Sequence, residues 1–185
     1  MGWWLTVTAA VADNAAIVGG LINPTRLAAL GPRGANSRVQ KCVYWLTMAR
    51  RAQENVTNTL DHAIASVGYT NTNAARLTRD ALLRNLDIAE KLGCLDPDGL
   101  SEMRRGRAAT IRRGPYSGDQ LSVDHIIPRA VCPELDNVIA NLEFMPMRMN
   151  SAKGDRISTC QIALAQTFQQ AGLLPLMSLS KIHSP

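Results

Sequence analysis

Residues 118–156 read GDQLSVDHIIPRAVCPELDNVIANLEFMPMRMNSAKGDR, and the interpretation of the whole chain turns on this stretch. The run QLSVD at 120–124 alternates apolar and polar side chains, as a short half-buried strand does. ANLEFMP at 140–146 offers a second strand. The connection between them holds Pro128 and Pro133, which neither a helix interior nor a central strand tolerates well. Beyond Pro146 the pattern returns to helix and carries through Asn150. The expectation is a strand, an irregular connection, a second strand and a helix.

Outward from this unit the chain reads as helical. From Asn36 or Ser37, as N-cap, Val39, Val43 and Leu46 form one stripe. Val56, Leu60, Ile64 and Val67 continue at helical spacing to Gly68. A second helix is predicted from about Asn73 to Leu92, with Leu82, Leu86 and Ala89 as its apolar face and Gly93 closing it. A turn and a short helix follow Pro97, and an exposed Gly- and Pro-containing loop leads into the first strand. Downstream, an amphipathic helix is predicted over 158–172, with Leu164, Ala165 and Phe168 on one face. The tail MSLSKIHSP is expected to be loose. The fold class is therefore mainly α with a small β-hairpin. It divides into a helical N-terminal region (1–103), a basic loop (104–118) and a core with a C-terminal helix (119–185).

Composition suits a folded globular chain: 185 residues, 46% hydrophobic, 19% charged, with aromatics at only 4%. The core must rest on aliphatic side chains. The formal charge of +5 is compatible with a polyanionic partner, and its distribution says more than its size. Arg104, Arg105, Arg107, Arg112 and Arg113 stand together with no acid among them, just before the first strand. The four cysteines, at 42, 94, 132 and 160, form no C-x-x-C pair, so the spacing offers no zinc knuckle; buried thiols in a reducing compartment are expected rather than a disulfide scaffold, with disulfides the alternative for an even count. The apolar N-terminal run lacks a leading Lys or Arg and is interrupted by Asp13 and Asn14. It is read as a segment of a cytoplasmic protein, packed through Trp3 and Trp4, and not as a signal peptide or membrane span.

Four polar features of the 118–156 stretch make chemical sense together. Hydrolysing a phosphodiester needs an activated water and something to offset charge on the leaving oxygen. Histidine suits the first task near neutral pH, and His125 ends the first strand. A hard divalent cation suits the second and prefers oxygen ligands such as the Asp124 carboxylate and the Asn150 amide. Consecutive strand residues point to opposite faces, so Asp124 and His125 share a site only if the strand ends or twists there.

The order DHIIP, then NL, then a helix with N-x-x-K-G resembles the HNH, or ββα-metal, endonucleases. It covers only about residues 119–156. By position, the resemblance implies that His125 is the general base and that Asp124 and Asn150 hold one divalent metal, Mg²⁺ or alternatively Mn²⁺. It implies that Asn141 braces the connecting loop and orients the histidine, and that Lys153 lies near the scissile phosphate. Relatives often carry C-x-x-C pairs for a structural zinc. Here GPYSG (114–118) and Met147 with Met149 stand in their places, so no structural zinc is expected.

The expectation is thus a metal-dependent endonuclease that nicks single strands of DNA, with RNA as an alternative substrate. Phosphate contacts are assigned to Arg104, Arg105, Arg107, Arg112, Arg113 and Arg129. Arg129 could instead pair with Glu134 or Asp136, and the arginine run could be a solvated face. The rival reading is a catalytically silent DNA- or partner-binding module on the same scaffold. Restriction, phage defence, a mobile element and a secreted toxin with a cognate inhibitor protein all fit the nuclease reading. No membrane partner is expected. His62, on a helix beside Asp61, is read as structural, and His183 is assigned no role.

Overall fold

The computed structural model describes residues 14–69, 72–155 and 157–182. The expectations for Trp3, Trp4 and His183 lie outside the described residues. A helical run over 14–22 (α1) and the single turn α2 (Pro24–Ala28) precede α3 (Asn36–Arg51), α4 (Val56–Ser66), α5 (Thr72–Lys91) and α6 (Pro97–Arg104). Strands β1 (Leu121–His125) and β2 (Leu142–Pro146) follow, then α7 (Met147–Lys153), α8 (Thr159–Gln170) and α9 (Leu176–Ile182). The chain is mainly helical, with one small antiparallel two-stranded sheet. Among the described residues no helix is long and apolar enough to cross a membrane.

The stripe predicted to run on from Val39 to Val67 belongs to two helices. At the end of α3, Gln53 takes a left-handed φ of 64°, and the Asn55 side chain accepts the Asn58 N–H at 3.0 Å to start α4 afresh. The apolar spacing survives the break because both helices turn it to one core, where Val39, Val43, Leu46 and Leu60 are fully buried. Helix α3 is capped at Ala35, one residue before the predicted N-cap. Helix α5 ends where Gly93, at φ 71°, allows its own N–H and that of Cys94 to return to Glu90 and Ala89 carbonyls.

A lone hairpin is marginal in water, so this one depends on its surroundings. Leu121 pairs with Pro146 and His125 with Leu142 at its two ends. Its inner residues, Leu121, Leu142 and Phe144, join the larger core with Val39, Leu82 and Leu86, so that core crosses the expected boundary between helical region and hairpin. Burying Phe144 alone contributes roughly 1.5–3 kcal/mol. Two buried amides complete the sheet's hydrogen bonding. Asn85 of α5 donates to the Leu142 carbonyl (2.9 Å) and accepts the Phe144 N–H (2.6 Å), while Gln40 of α3 donates to the Leu121 carbonyl (3.2 Å). Without them β2 would bury unpaired backbone groups.

A second cluster holds Ile127, Leu135, Phe168, Leu174 and Ile182. It corrects the expectation of a loose tail: α9 forms because Ile182 enters this cluster and the Ser178 hydroxyl donates to Glu134 at 2.7 Å. None of the four cysteines forms a disulfide among the described residues, and Cys42, Cys94 and Cys132 are buried. Burial pushes the Cys42 thiol up to about 12, against a small opposing pull from Arg38. It behaves as a core hydrophobe, not a nucleophile.

Candidate active site

Strand β1 ends at His125, and the backbone bends at Ile126. That bend satisfies the condition set by strand geometry, because Asp124 and His125 both line one cleft of about 790 Å³ although they are neighbours. Each is about 8% exposed. Helix α7 packs on both strands and brings Asn150 to the same cleft. Its N-terminus is fixed by Asp119, whose carboxylate accepts the Arg148 N–H at 3.0 Å. That bond, with help from the Gln120 N–H and the Arg148 charge, holds the Asp119 carboxyl below its ordinary range despite an opposing effect of burial.

The histidine is oriented from the connecting loop. His125 Nε2 lies 3.0 Å from the Asp136 carbonyl and 2.9 Å from Asp136 Oδ1. A carbonyl only accepts, so Nε2 carries the proton and Nδ1 is the nitrogen that can take one. Asn141 is fully buried and ties the loop shut. It accepts the Ile127 N–H at 2.8 Å and donates to the Ile127 and Leu135 carbonyls at 3.0 and 3.4 Å. Its backbone carbonyl also takes the Ile126 N–H at 2.8 Å.

Lys153, expected near a scissile phosphate, is bonded to groups of the protein. Its ammonium reaches Asp124 Oδ2 at 2.5 Å, the His125 carbonyl at 2.8 Å and the Ile126 carbonyl at 3.2 Å. Its side chain is not among those lining the cleft. The lysine neutralises Asp124 and clamps the end of β1, while the Gln161 amide donates to the same Ile126 carbonyl from α8.

The donor set fits a hard cation better than zinc. Asp124 and Asn150 offer carboxylate and amide oxygens, and Asn150 uses its Nδ2 on the Ser122 hydroxyl (3.1 Å), so Oδ1 is the atom with which it could hold an ion. Among the described residues no three His, Cys, Asp or Glu side chains gather as a metal cluster. An ion that keeps most of its waters needs no such cluster.

The arginines divide. Arg129 lines the cleft and makes no ion pair among the described residues. The two partners considered for it are engaged elsewhere, Asp136 by His125 and Glu134 by Ser178. None of Arg104, Arg105, Arg107, Arg112 and Arg113 lines the cleft. Arg105 pairs with Glu102 at 2.8 Å, and Arg112 with Asp96 and Asp98 at 3.0 and 3.4 Å. From the N-terminal region, Arg33 and Asn36 line the cleft and escaped the sequence reading of the site, because nothing in GPRGANS marks them as close to a site about ninety residues later. Asp136 was also missed as the partner of His125, for the same lack of a local signal. No family model matches this chain, and neither the curated proteins nor the solved structures compared with it contain a match.

Proposed function

We propose that the protein is a metal-dependent HNH, or ββα-metal, endonuclease that cuts DNA one strand at a time. The observation that carries this reading is the histidine. Its Nε2 is committed to Asp136, its Nδ1 remains as a base, and it shares a cleft with the carboxylate and amide of Asp124 and Asn150. The strand, strand and helix that hold these groups match the order expected from the resemblance.

In this reading Nδ1 of His125 takes a proton from water, and the hydroxide adds to phosphorus as the bond to the 3′ oxygen breaks. The 3′ oxygen leaves with the electron pair of that bond and takes a proton from solvent, so the products are a 5′ phosphate and a 3′ hydroxyl. Asp124 and Asn150 would hold a divalent ion, Mg²⁺ or Mn²⁺, which would supply positive charge against the negative charge growing on the leaving 3′ oxygen. Asn141 keeps the loop closed so that Asp136 stays against the imidazole. Lys153 tempers the charge of Asp124 and fixes the strand end. Arg129 takes substrate phosphate. One base and one such ion serve one strand, so a monomer nicks. RNA carries the same phosphodiester and is the alternative substrate.

The Lys153 contact favours a second reading. An ammonium already seated on Asp124 is what a scaffold that binds DNA without cutting would keep. Incubating supercoiled plasmid with the protein and Mg²⁺, Mn²⁺ or EDTA separates the two. The nuclease reading expects metal-dependent nicking, slowed about 10²–10⁴-fold by His125→Ala, the span of general-base catalysis. Plasmid that binds the folded protein but stays intact would establish the silent scaffold instead.

A further inference from the structure

The wall of the cleft that comes from the N-terminal region has no place in the chemistry described so far. It is the loop over 31–36, and side chains of the histidine loop hold it by its backbone. Asp136 Oδ2 accepts the Arg33 N–H at 3.0 Å, and Asn137 Oδ1 accepts the Ala35 N–H at 2.9 Å. The Asn137 amide donates in turn to the Leu30 and Gly31 carbonyls, each at 3.2 Å. One carboxylate, that of Asp136, thus touches both the catalytic imidazole and the backbone of this loop.

Arg33 sits at the centre of that tether in a left-handed conformation, φ 58°. Such a backbone is strained for a side chain with a Cβ, and Gly31 and Gly34 flank it without replacing it. Its guanidinium lines the cleft with Asp124, His125 and Asn150, and it forms no ion pair or side-chain hydrogen bond among the described residues. An exposed guanidinium on a tethered backbone, spent on no acid of the cleft it lines, is suited to a phosphate, whose oxygens its fork of N–H groups can meet in pairs.

We propose that Arg33 forms a second phosphate-binding position of the cleft, taking a backbone phosphate that flanks the one cut. The inference rests on the nuclease reading for the identity of its ligand. Phosphate contacts fix the register of a duplex without reading its sequence, so Arg33 sets where along the strand His125 acts. It also makes the N-terminal helical region part of the site.

The test measures binding and cleavage separately. Arg33→Gly removes the side chain yet keeps the left-handed backbone, and Arg33→Lys keeps a charge without the planar fork. Binding of a fluorescein-labelled DNA duplex is followed by anisotropy across a salt series in the His125→Ala background. Cleavage of the same duplex is followed with His125 intact. Arg33→Gly is expected to weaken binding about tenfold, the worth of one charged hydrogen-bonding contact, and to lower the salt slope by about one. It is also expected to raise KM with kcat little changed, and Arg33→Lys to fall between. Binding and KM that match the parent protein would overturn the proposal while leaving the nuclease intact. So would a fall in kcat at unchanged KM, since Arg33 would then act only through Asp136 and His125. Loss of binding in Arg33→Gly, when the parent binds DNA without cutting it, would keep the phosphate site and remove the nuclease.

Discussion

The loop over 31–36 and the arginine run over 104–113 are both basic, and they spend their arginines in opposite ways. In the first, the backbone is tied down by Asp136 and Asn137 while the Arg33 guanidinium stays open to the cleft. In the second, guanidinium groups are themselves the ties: Arg105 to Glu102, and Arg112 to Asp96 and Asp98. Arg112 beside two carboxylates presents no net positive charge to a phosphate. Density of charge along the chain is therefore a poor guide to charge at the site. What counts is whether the head group or the backbone is used to hold the fold.

Variants can break this contrast. The largest effect is expected from Asn141→Ala, which attacks the loop that positions both His125 and Asp136. The Ile127 N–H and carbonyl are buried and would lose their partner, at about 1–3 kcal/mol each, so the loss should be roughly 2–6 kcal/mol. Urea denaturation reads it directly. An unchanged midpoint would mean that water replaces the amide and that the loop is not closed by this residue.

Asn137→Ala is milder and more selective. It deletes three hydrogen bonds to residues 30–35, one of them solvent-exposed, and should cost about 1–2 kcal/mol. Because it loosens the backbone on both sides of Arg33, whose own N–H Asp136 still holds, it should also weaken DNA binding in the anisotropy assay, by no more than Arg33→Gly does. Full affinity in this variant would show that the guanidinium needs no fixed backbone.

The smallest effects belong to the arginine run. Arg104 and Arg113 make no ion pair among the described residues, so the double variant Arg104→Ala/Arg113→Ala should weaken binding a few-fold through long-range attraction, more at low salt than at high. Arg112→Ala should alter affinity by less than about twofold and stability by no more than about 1 kcal/mol, as for other exposed ion pairs. If Arg112→Ala cost more affinity than Arg33→Gly, the ranking of the two regions would be reversed.

Much of this molecule was legible along the chain. The two strands fell within a residue or two of 120–124 and 140–146, α5 matched its Leu82, Leu86 and Ala89 stripe, and α7 and α8 followed their patterns. The pair Asp124 and His125, with Asn141 and Asn150, could be picked out because they fall at strand ends and on a short helix, where local geometry says which way they point. The end of α3 was not legible, since the apolar stripe passes unbroken through a turn that only Gln53 reveals. Nor was α9, which has no strong periodicity and is held by Ser178 and Ile182 against distant partners. Asn85 and Gln40 left a faint trace, polar amides lying beside the apolar stripes of their helices, which is the mark of a buried group with a backbone partner.

The sequence by itself determined the helical periods and the hairpin, and it singled out His125 with its neighbours as candidates, because each follows from side chains a few residues apart. The tertiary structure decided what faces those groups. It set Asp136 against the imidazole, Lys153 on Asp124, and Arg33 in the cleft while most of the arginine run was turned to acids elsewhere. Such pairings join residues up to about a hundred positions apart, and nothing in local propensity encodes which distant partner a free hydrogen bond or charge will find.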